Sequence, residues 1–338
     1  MKVMELAGDW SPHHLRLAER PDPEPGPDDA VVAIQAVSIN PRDLVLCQGG
    51  YGRQGGTLPL IPLCDGAGEV LAVGERVTRM KPGDRVCPAF SRTWLRGDIP
   101  PDYWRGAHGG PLDGTMQERM LIPAEALVKL PDYLSIPEAA TLPCAAVTAW
   151  NAVVEQGGVR AGARVLLQGT GGVALFALQF AKLQGAEVII ISSSDEKLAH
   201  ARSLGADHGI NYRKQPDWGR LAREISGGEG VDHVVELGGA GTLEQSLLAV
   251  CPGGTLSLIG VLGGATARLP LGRVVTRNVR LQGVTVGSRE IFQHMLWAMA
   301  YHRTRPALDD RRFAFEGLGE ALLRLPRGEH FGKVVCEF

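Results

Sequence analysis

Between residues 164 and 260, short apolar runs alternate with helix-length amphipathic stretches, and no other feature narrows the possible folds so far. Residues 164–168 (RVLLQ), 187–192 (EVIIIS), 231–237 (VDHVVEL) and 255–260 (TLSLIG) read as strands; 172–184, 195–204 and 243–250 read as helices between them. Strands apolar on both faces must be covered on both, which calls for a parallel sheet clad in helices, a doubly wound α/β domain. Residues 1–125 have a different texture. Their β-type runs at 30–37, 68–73 and 85–87 are broken by Gly and Pro and predict a mostly antiparallel β domain. After residue 285, a predicted helix over 291–302 and strand over 333–338 make a tail too short to fold alone. It is expected to return to the first domain, giving one domain of 1–145 with 286–338 and a second of 146–285, a division that suits 338 residues.

The first α/β strand runs straight into a glycine turn, LLQGTGGVA (166–174). Gly169 permits the tight turn, Gly171 removes the Cβ that would block a pyrophosphate, and Ala174 lets the helix pack closely on the strand. Thr170, Gly172 and Val173 complete the candidate phosphate cradle, where the helix start offers unpaired N–H groups and positive dipole. With a strand before it, a helix after it and a second strand at the right distance, the turn predicts a dinucleotide site. An NAD site usually ends its second strand with an acid that grips the ribose. Here that place holds Ser192, Ser193 and Ser194, which tilts the expected cofactor to NADP(H), with NAD(H) possible. Lys197, Tyr212 and Arg213 are candidates for a 2′-phosphate. Two other readings stand beside this: Ser193 with Glu196 as a capping box with Lys197 merely solvated, and Asp195 as a displaced ribose partner. Gly260, Val261 and Leu262 fall at the carboxyl edge of the sheet, where ligands bind in such folds.

A net charge of −2 argues against general affinity for nucleic acid or anionic membranes. Apolar runs fall far short of the roughly 20 residues a membrane helix needs. None of the six cysteines forms a C-x-x-C pair, and MKVMELAGDW has no sustained apolar core. A cytoplasmic protein with reduced thiols acting on a small molecule is expected.

On VSINPRD (37–43), PLCDGAGEVLAVG (62–74), KPGDRV (81–86), AATLPCAAVTAW (139–150), LGADHGINY (204–212), FGKVV (331–335) and the glycine turn, the chain resembles the medium-chain dehydrogenase/reductase superfamily. Within it, the similarity is to zinc-free quinone oxidoreductases and enone (alkenal) reductases, a branch with members named alcohol dehydrogenases. The resemblance implies a GroES-like β domain, a Rossmann domain, an active site between them, and homodimers or homotetramers built on sheet edges, with 280–287 as the edge strand. It also implies that Asn40 and Thr148, with Val147, lie near the nicotinamide. By the same resemblance Tyr51 lines the substrate cleft as a hydrogen-bond donor, and Lys333 with Gly332 closes it. Tyr51 reads equally as a surface loop aromatic.

Zinc members of the superfamily use Cys, His and Cys; the matching positions here are Asn40, Cys64 and Cys144, with Asp65 after the second. An amide is a poor zinc ligand, and residues 88–111 replace the four-cysteine structural-zinc lobe, so no zinc is expected. Cys64 and Cys144 are expected as small core thiols, Asp43 as the brace of the Asn40–Pro41 turn, and His13, His14 and His108 as surface residues. Trp94, Tyr103 and Trp104 read as substrate wall, dimer contact or local packing. Without a metal, conjugated acceptors are the easier hydride acceptors, because they spread the developing charge. The leading expectation is NADPH-dependent reduction of a quinone or α,β-unsaturated carbonyl. The alternatives are an alcohol or aldehyde dehydrogenase, and a non-catalytic NADPH-binding protein.

Overall fold

The computed structural model describes residues 1–338, which divide into two compact units: Met1–Val147 with Val286–Phe338, and Thr148–Thr285. In chain order the strands are β1 (Lys2–Leu6), β2 (Leu15–Glu19), β3 (Asp29–Ser38), β4 (Asp65–Val73), β5 (Arg85–Pro88), β6 (Arg119–Pro123) and β7 (Leu127–Lys129). Then come β8 (Arg164–Gln168), β9 (Glu187–Ser192), β10 (His208–Asn211), β11 (Val231–Glu236), β12 (Val250–Leu258) and β13 (Arg280–Gly283), and finally β14 (Leu308–Ala314) and β15 (Lys333–Glu337).

The first unit is a GroES-like β domain. Its seven-stranded sheet runs β14-β15-β3-β4-β5-β7, with β6 also on β3. All pairings are antiparallel except β14 with β15. The last strand is an interior strand, wedged between β14 and β3. Val32, Ile34, Val37, Ile61, Leu63, Ile122, Leu322 and Val334 share one buried core, so residues from both ends of the chain exclude water together.

The second unit is of Rossmann type. Six parallel strands lie in the order β10-β9-β8-β11-β12-β13. The chain starts mid-sheet, winds outward to β10, then returns past β8 to build β11 to β13. The reversal at β8 and β11 makes the topological switch point, whose carboxyl end is the ligand-binding edge in such sheets. Leu166, Ile189, Ile191, Val234 and Leu256 fill the core under the covering helices. His233 is buried in β11, its Nε2 3.0 Å from Ser257 Oγ, and burial depresses its pKa to about 4. No helix of the protein is long and apolar enough to cross a membrane.

Two local readings are corrected, those of Ser193 and His108. The helix Asp195–Ser203 is capped by Ser194, not Ser193: Ser194 is the extended residue, and its Oγ accepts from the Lys197 amide at 3.3 Å. Thr148 is the second residue of the helix Val147–Trp150, which continues a longer helical run. The run opens with a π-type turn at Leu142–Ala146, with Pro143 supplying the helix-compatible start, and passes into Val147–Trp150. His108 is buried, because its ring turns inward, with Nδ1 3.4 Å from the Asp113 carbonyl.

Candidate functional site

The first unit gathers its polar residues at one end of the sheet. The register sets Ser38 beside both Asp65 and Val335, so the end of β3 and the starts of β4 and β15 converge. Asp65 is fully buried, and its Oδ2 accepts from Ser38 Oγ (2.9 Å), Asn40 Nδ2 (2.8 Å) and Lys333 Nζ (3.1 Å). Lys333 also donates to the Ile39 carbonyl (3.0 Å) and to Asn40 Oδ1 (2.7 Å). Its three N–H bonds are thereby all spent. Lys333 is thus an internal counter-charge that fixes Asn40 and Asp65. Asn40 is likewise buried and committed, its Nδ2 also pointing at Cys64 Sγ (3.7 Å). Asp43 holds the turn as expected, accepting from the Asn40 amide at 2.8 Å, and burial pushes its carboxyl up to about 6.

Leu63, just before Cys64, has φ +72°, a conformation that strains a branched side chain. Two glycines keep it there. A Cβ on Gly109 would sit 2.5 Å from the Leu63 carbonyl carbon, and one on Gly114 would sit 2.0 Å from its oxygen. Thr115 locks the turn, its amide on Leu63 O (2.9 Å) and its hydroxyl on Asp65 O (2.8 Å).

The Cys64 and Cys144 sulfurs and an Asp65 carboxylate oxygen lie within 4.8 Å of one another. Cys64 is buried, and burial, a hydrogen bond with Cys144 and the nearby acids hold its thiol well above the usual range. It packs with Phe90, Trp94, Ala107 and Val286, against Tyr103 and Cys144. Trp94 and Tyr103 meet edge to face at 5.9 Å, so these two pack locally. Three donors match the number of protein ligands in a catalytic zinc site. The charge around them does not suit a dication. Lys333 already neutralises Asp65, Asn40 offers Cys64 an N–H rather than a lone pair, and the Arg42 guanidinium lies over Phe90, which packs on Cys64.

Arg42 is the residue that sequence reading missed, although it stands inside the SINPRD motif. Its side chain is 15% exposed. The guanidinium lies 4.8 Å from the Phe90 ring centre and 5.8 Å from that of Tyr51. Burial works against its charge, but Cys64, Asp43, Cys144 and Tyr51 raise its pKa further still. Tyr51 begins the 3₁₀ turn Gly52–Gly55, and burial lifts its phenol above the usual value against the pull of Arg42. Tyr51 therefore keeps its proton and can donate it in a hydrogen bond.

In the second unit, Gly169 adopts φ +79° directly after β8, and its amide donates to Ile191 O at 2.7 Å. Gly171 caps the helix Gly172–Leu183 in extended conformation, and Thr170 is buried beneath the turn. The N–H groups of Gly172, Val173 and Ala174 precede the first intrahelical bond, Leu175 to Gly171, and so are open to an anion. Across the switch point stands a network not foreseen from sequence. Glu236, ending β11, is fully buried and accepts from the Gly238 and Gly239 amides, from Gln168 Nε2 (2.7 Å), and from the Thr242 and Ser246 hydroxyls. Gln168 Oε1 returns bonds to the Leu237 and Gly238 amides (2.9 and 3.0 Å). A polar residue closing each of two adjacent apolar strands was the available signal.

Ser192 is buried at the end of β9, and the Tyr212 amide donates to its carbonyl at 3.1 Å, which brings the residues after β10 alongside. Asp195 is not a free ribose partner: Asn211 (2.7 Å) and Lys214 occupy its two oxygens. Ser193, Lys197, Tyr212 and Arg213 thus share one edge of this unit with a further cation, Lys214. Val261 and Leu262 are 59% and 72% exposed past β12. Gly260 is explained by packing, since a Cβ there would lie 2.2 Å from the Leu237 carbonyl oxygen.

A doubly wound dinucleotide-type unit, paired in one chain with a GroES-like unit carrying this buried cluster, defines a class of nicotinamide-linked oxidoreductase. Residues 26–132 match the family described as alcohol dehydrogenase GroES-like domain, and 172–300 match zinc-binding dehydrogenase. The chain is 42% identical over 318 residues to a zinc-type alcohol dehydrogenase-like protein of Schizosaccharomyces pombe, spanning 92% of this chain and 91% of that one. A solved structure from Sinorhizobium meliloti 1021, provisionally described as an alcohol dehydrogenase, is 44% identical with a TM-score of 0.93, covering 100% and 98% of the two chains. An acryloyl-coenzyme A reductase of Sulfurisphaera tokodaii is 26% identical over 330 residues, 95% and 96% of the two chains. The protein belongs to the medium-chain dehydrogenase/reductase superfamily, a family of NAD(P)-dependent oxidoreductases.

Proposed function

We propose that this protein is an NADPH-dependent reductase of quinones or α,β-unsaturated carbonyls that works without zinc. The observation that carries the reading is the pair of cations at the cysteine–aspartate cluster: Lys333 on Asp65, and Arg42 against Phe90, which packs with Cys64 and Cys144. A cation held by the chain supports developing negative charge at oxygen without a metal. A bound nicotinamide dinucleotide supplies the hydride. The open amides of Gly172 to Ala174 hold its pyrophosphate, and the serines, Lys197, Tyr212, Arg213 and Lys214 receive the 2′-phosphate in place of the missing acid. Tyr51, kept protonated, donates a hydrogen bond to the acceptor oxygen. The S. tokodaii relative's name, which specifies reduction of a conjugated acyl group, supports this acceptor class.

A second reading, alcohol or aldehyde dehydrogenase with metal, is favoured by the closeness of the Cys64, Asp65 and Cys144 donors and by the names of the more similar relatives. One experiment separates the two. NADPH and NADH oxidation is measured across quinones, enones, alkenals and simple aldehydes, with elemental analysis of the same preparation made without chelators. Preferential turnover of conjugated acceptors by metal-free protein is expected. One tightly held zinc per chain, with activity abolished by chelator, would replace the proposal with the second reading.

A further inference from the structure

Arg42 is a charge only partly paid for by its surroundings. A desolvated guanidinium is unfavourable unless its N–H groups find acceptors. Only Nη1 has any, and both are long: Asp43 Oδ1 at 3.4 Å and the His108 carbonyl at 3.3 Å. Nε and Nη2 bond to nothing in the protein, yet neither is sealed from solvent. Lys333, the other buried cation of this cluster, differs in having every donor engaged. Arg42 is also kept from collapsing onto a better partner. Phe90 and Tyr51 flank it, Asp43 reaches it only at 3.4 Å, and Asp65 is taken by Lys333, Asn40 and Ser38. A planar fork with free donors, walled by aromatic rings, suits a planar conjugated oxyanion: the fork takes the charged oxygens and the rings take the flat apolar remainder.

We infer that Arg42 is an oxyanion-binding residue for the substrate. The oxyanion is either a carboxylate the substrate already carries or the enolate oxygen that develops as the acceptor is reduced. The second case rests on the proposed reduction; the first does not.

The test uses the full-length protein and its Arg42→Lys, Arg42→Gln and Arg42→Met variants. Acrylate and benzoate binding is measured by calorimetry with no turnover. Thermal unfolding and NADPH titration serve as fold controls. The steady-state parameters of neutral enones are compared with those of enones bearing a carboxylate. Loss of tenfold or more in acrylate and benzoate affinity in the Gln and Met variants, partly restored by Lys, supports the assignment. A rise in KM confined to carboxylate-bearing acceptors identifies a standing carboxylate as the ligand. A fall in kcat of about a hundredfold for neutral enones, the scale of losing one oxyanion donor, identifies the enolate. Folded variants with unchanged anion affinity and unchanged kinetics overturn the inference. If no acceptor is reduced by the wild type, the reduction proposal fails, and the anion titrations still decide Arg42. Should the Gln and Met variants not fold, labelling of wild-type Arg42 by phenylglyoxal decides instead. Protection by acrylate supports the inference, and equal labelling with and without acrylate overturns it.

Discussion

Lys333 shows what one buried charge demands. Its ammonium has three acceptors, and one of them, the Asp65 carboxylate, depends on it for neutrality. Replacing Lys333 with Met leaves that carboxylate buried with only neutral donors. A loss of about 3–5 kcal/mol in urea unfolding is expected, the usual result of deleting half of a buried ion pair. The two buried histidines set the acid limit. Burial depresses His108 and His233 to about 4, so between pH 6.5 and 4 they take up protons only on unfolding, and each lowers stability as pH falls through that window. Asp43, raised to about 6 by burial, works oppositely: the native state holds its proton below pH 6, so acidification toward 4 favours folding there. Two histidines against one aspartate leave a net proton. Stability should fall by roughly 1.4 kcal/mol per pH unit between pH 6 and 5, below which carboxylates held low by their arginine partners, such as Glu5 and Glu138, add to the loss. In His233→Asn the opposing groups balance and the denaturation midpoint should become nearly flat between pH 6 and 5; an unaltered slope would refute the assignment.

At the scale of elements, the network joining β8 to β11 holds the loop over the sheet's ligand-binding edge. Glu236→Gln replaces an acceptor-only group with one whose N–H₂ must face the Gly238 and Gly239 amides or the Gln168 amide. A stability loss of about 1–3 kcal/mol and a raised KM for NADPH are expected from denaturation and steady-state kinetics. Lys197→Ala should raise the KM for NADPH and leave that for NADH unchanged; equal effects on both would remove its phosphate role. Strands β8, β9, β11 and the second half of β12 were readable in the sequence, because burial on both faces leaves unbroken apolar runs; β10, four residues of which only Ile210 is buried, was not. The buried polar links were not. Glu236 and Gln168 are 68 residues apart, and nothing in either strand announces the other. The same limit hid the first unit's cluster: Asn40, Cys64, Asp65 and Lys333 were each noticed, but their mutual bonds are made by strand register. Arg42 was passed over and His108 misjudged, because a charged residue in a turn motif and a histidine among glycines both look solvated.

On the scale of the whole molecule, β13 pairs only with β12 and leaves an open strand edge. Leu271 and Val275 on the neighbouring short helix are 66% and 72% exposed. An open edge beside exposed apolar residues is covered in most proteins, and a homodimer or homotetramer is the proposed cover. The double substitution Leu271→Glu and Val275→Glu should shift sedimentation from dimer or larger to monomer without altering far-UV circular dichroism. Wild-type protein sedimenting as a monomer would refute the proposal.

The central position of β15 also has a meaning in time. Synthesis runs from the N-terminal side onward, so the GroES-like unit waits, with Asp65 lacking its counter-charge and β3 lacking its neighbour β15, until the segment around Lys333 leaves the ribosome. The second unit has been complete since Thr285. The nascent chain therefore carries a finished dinucleotide fold before the acidic cluster is neutralised, and a chain released before Lys333 has no way to assemble that cluster.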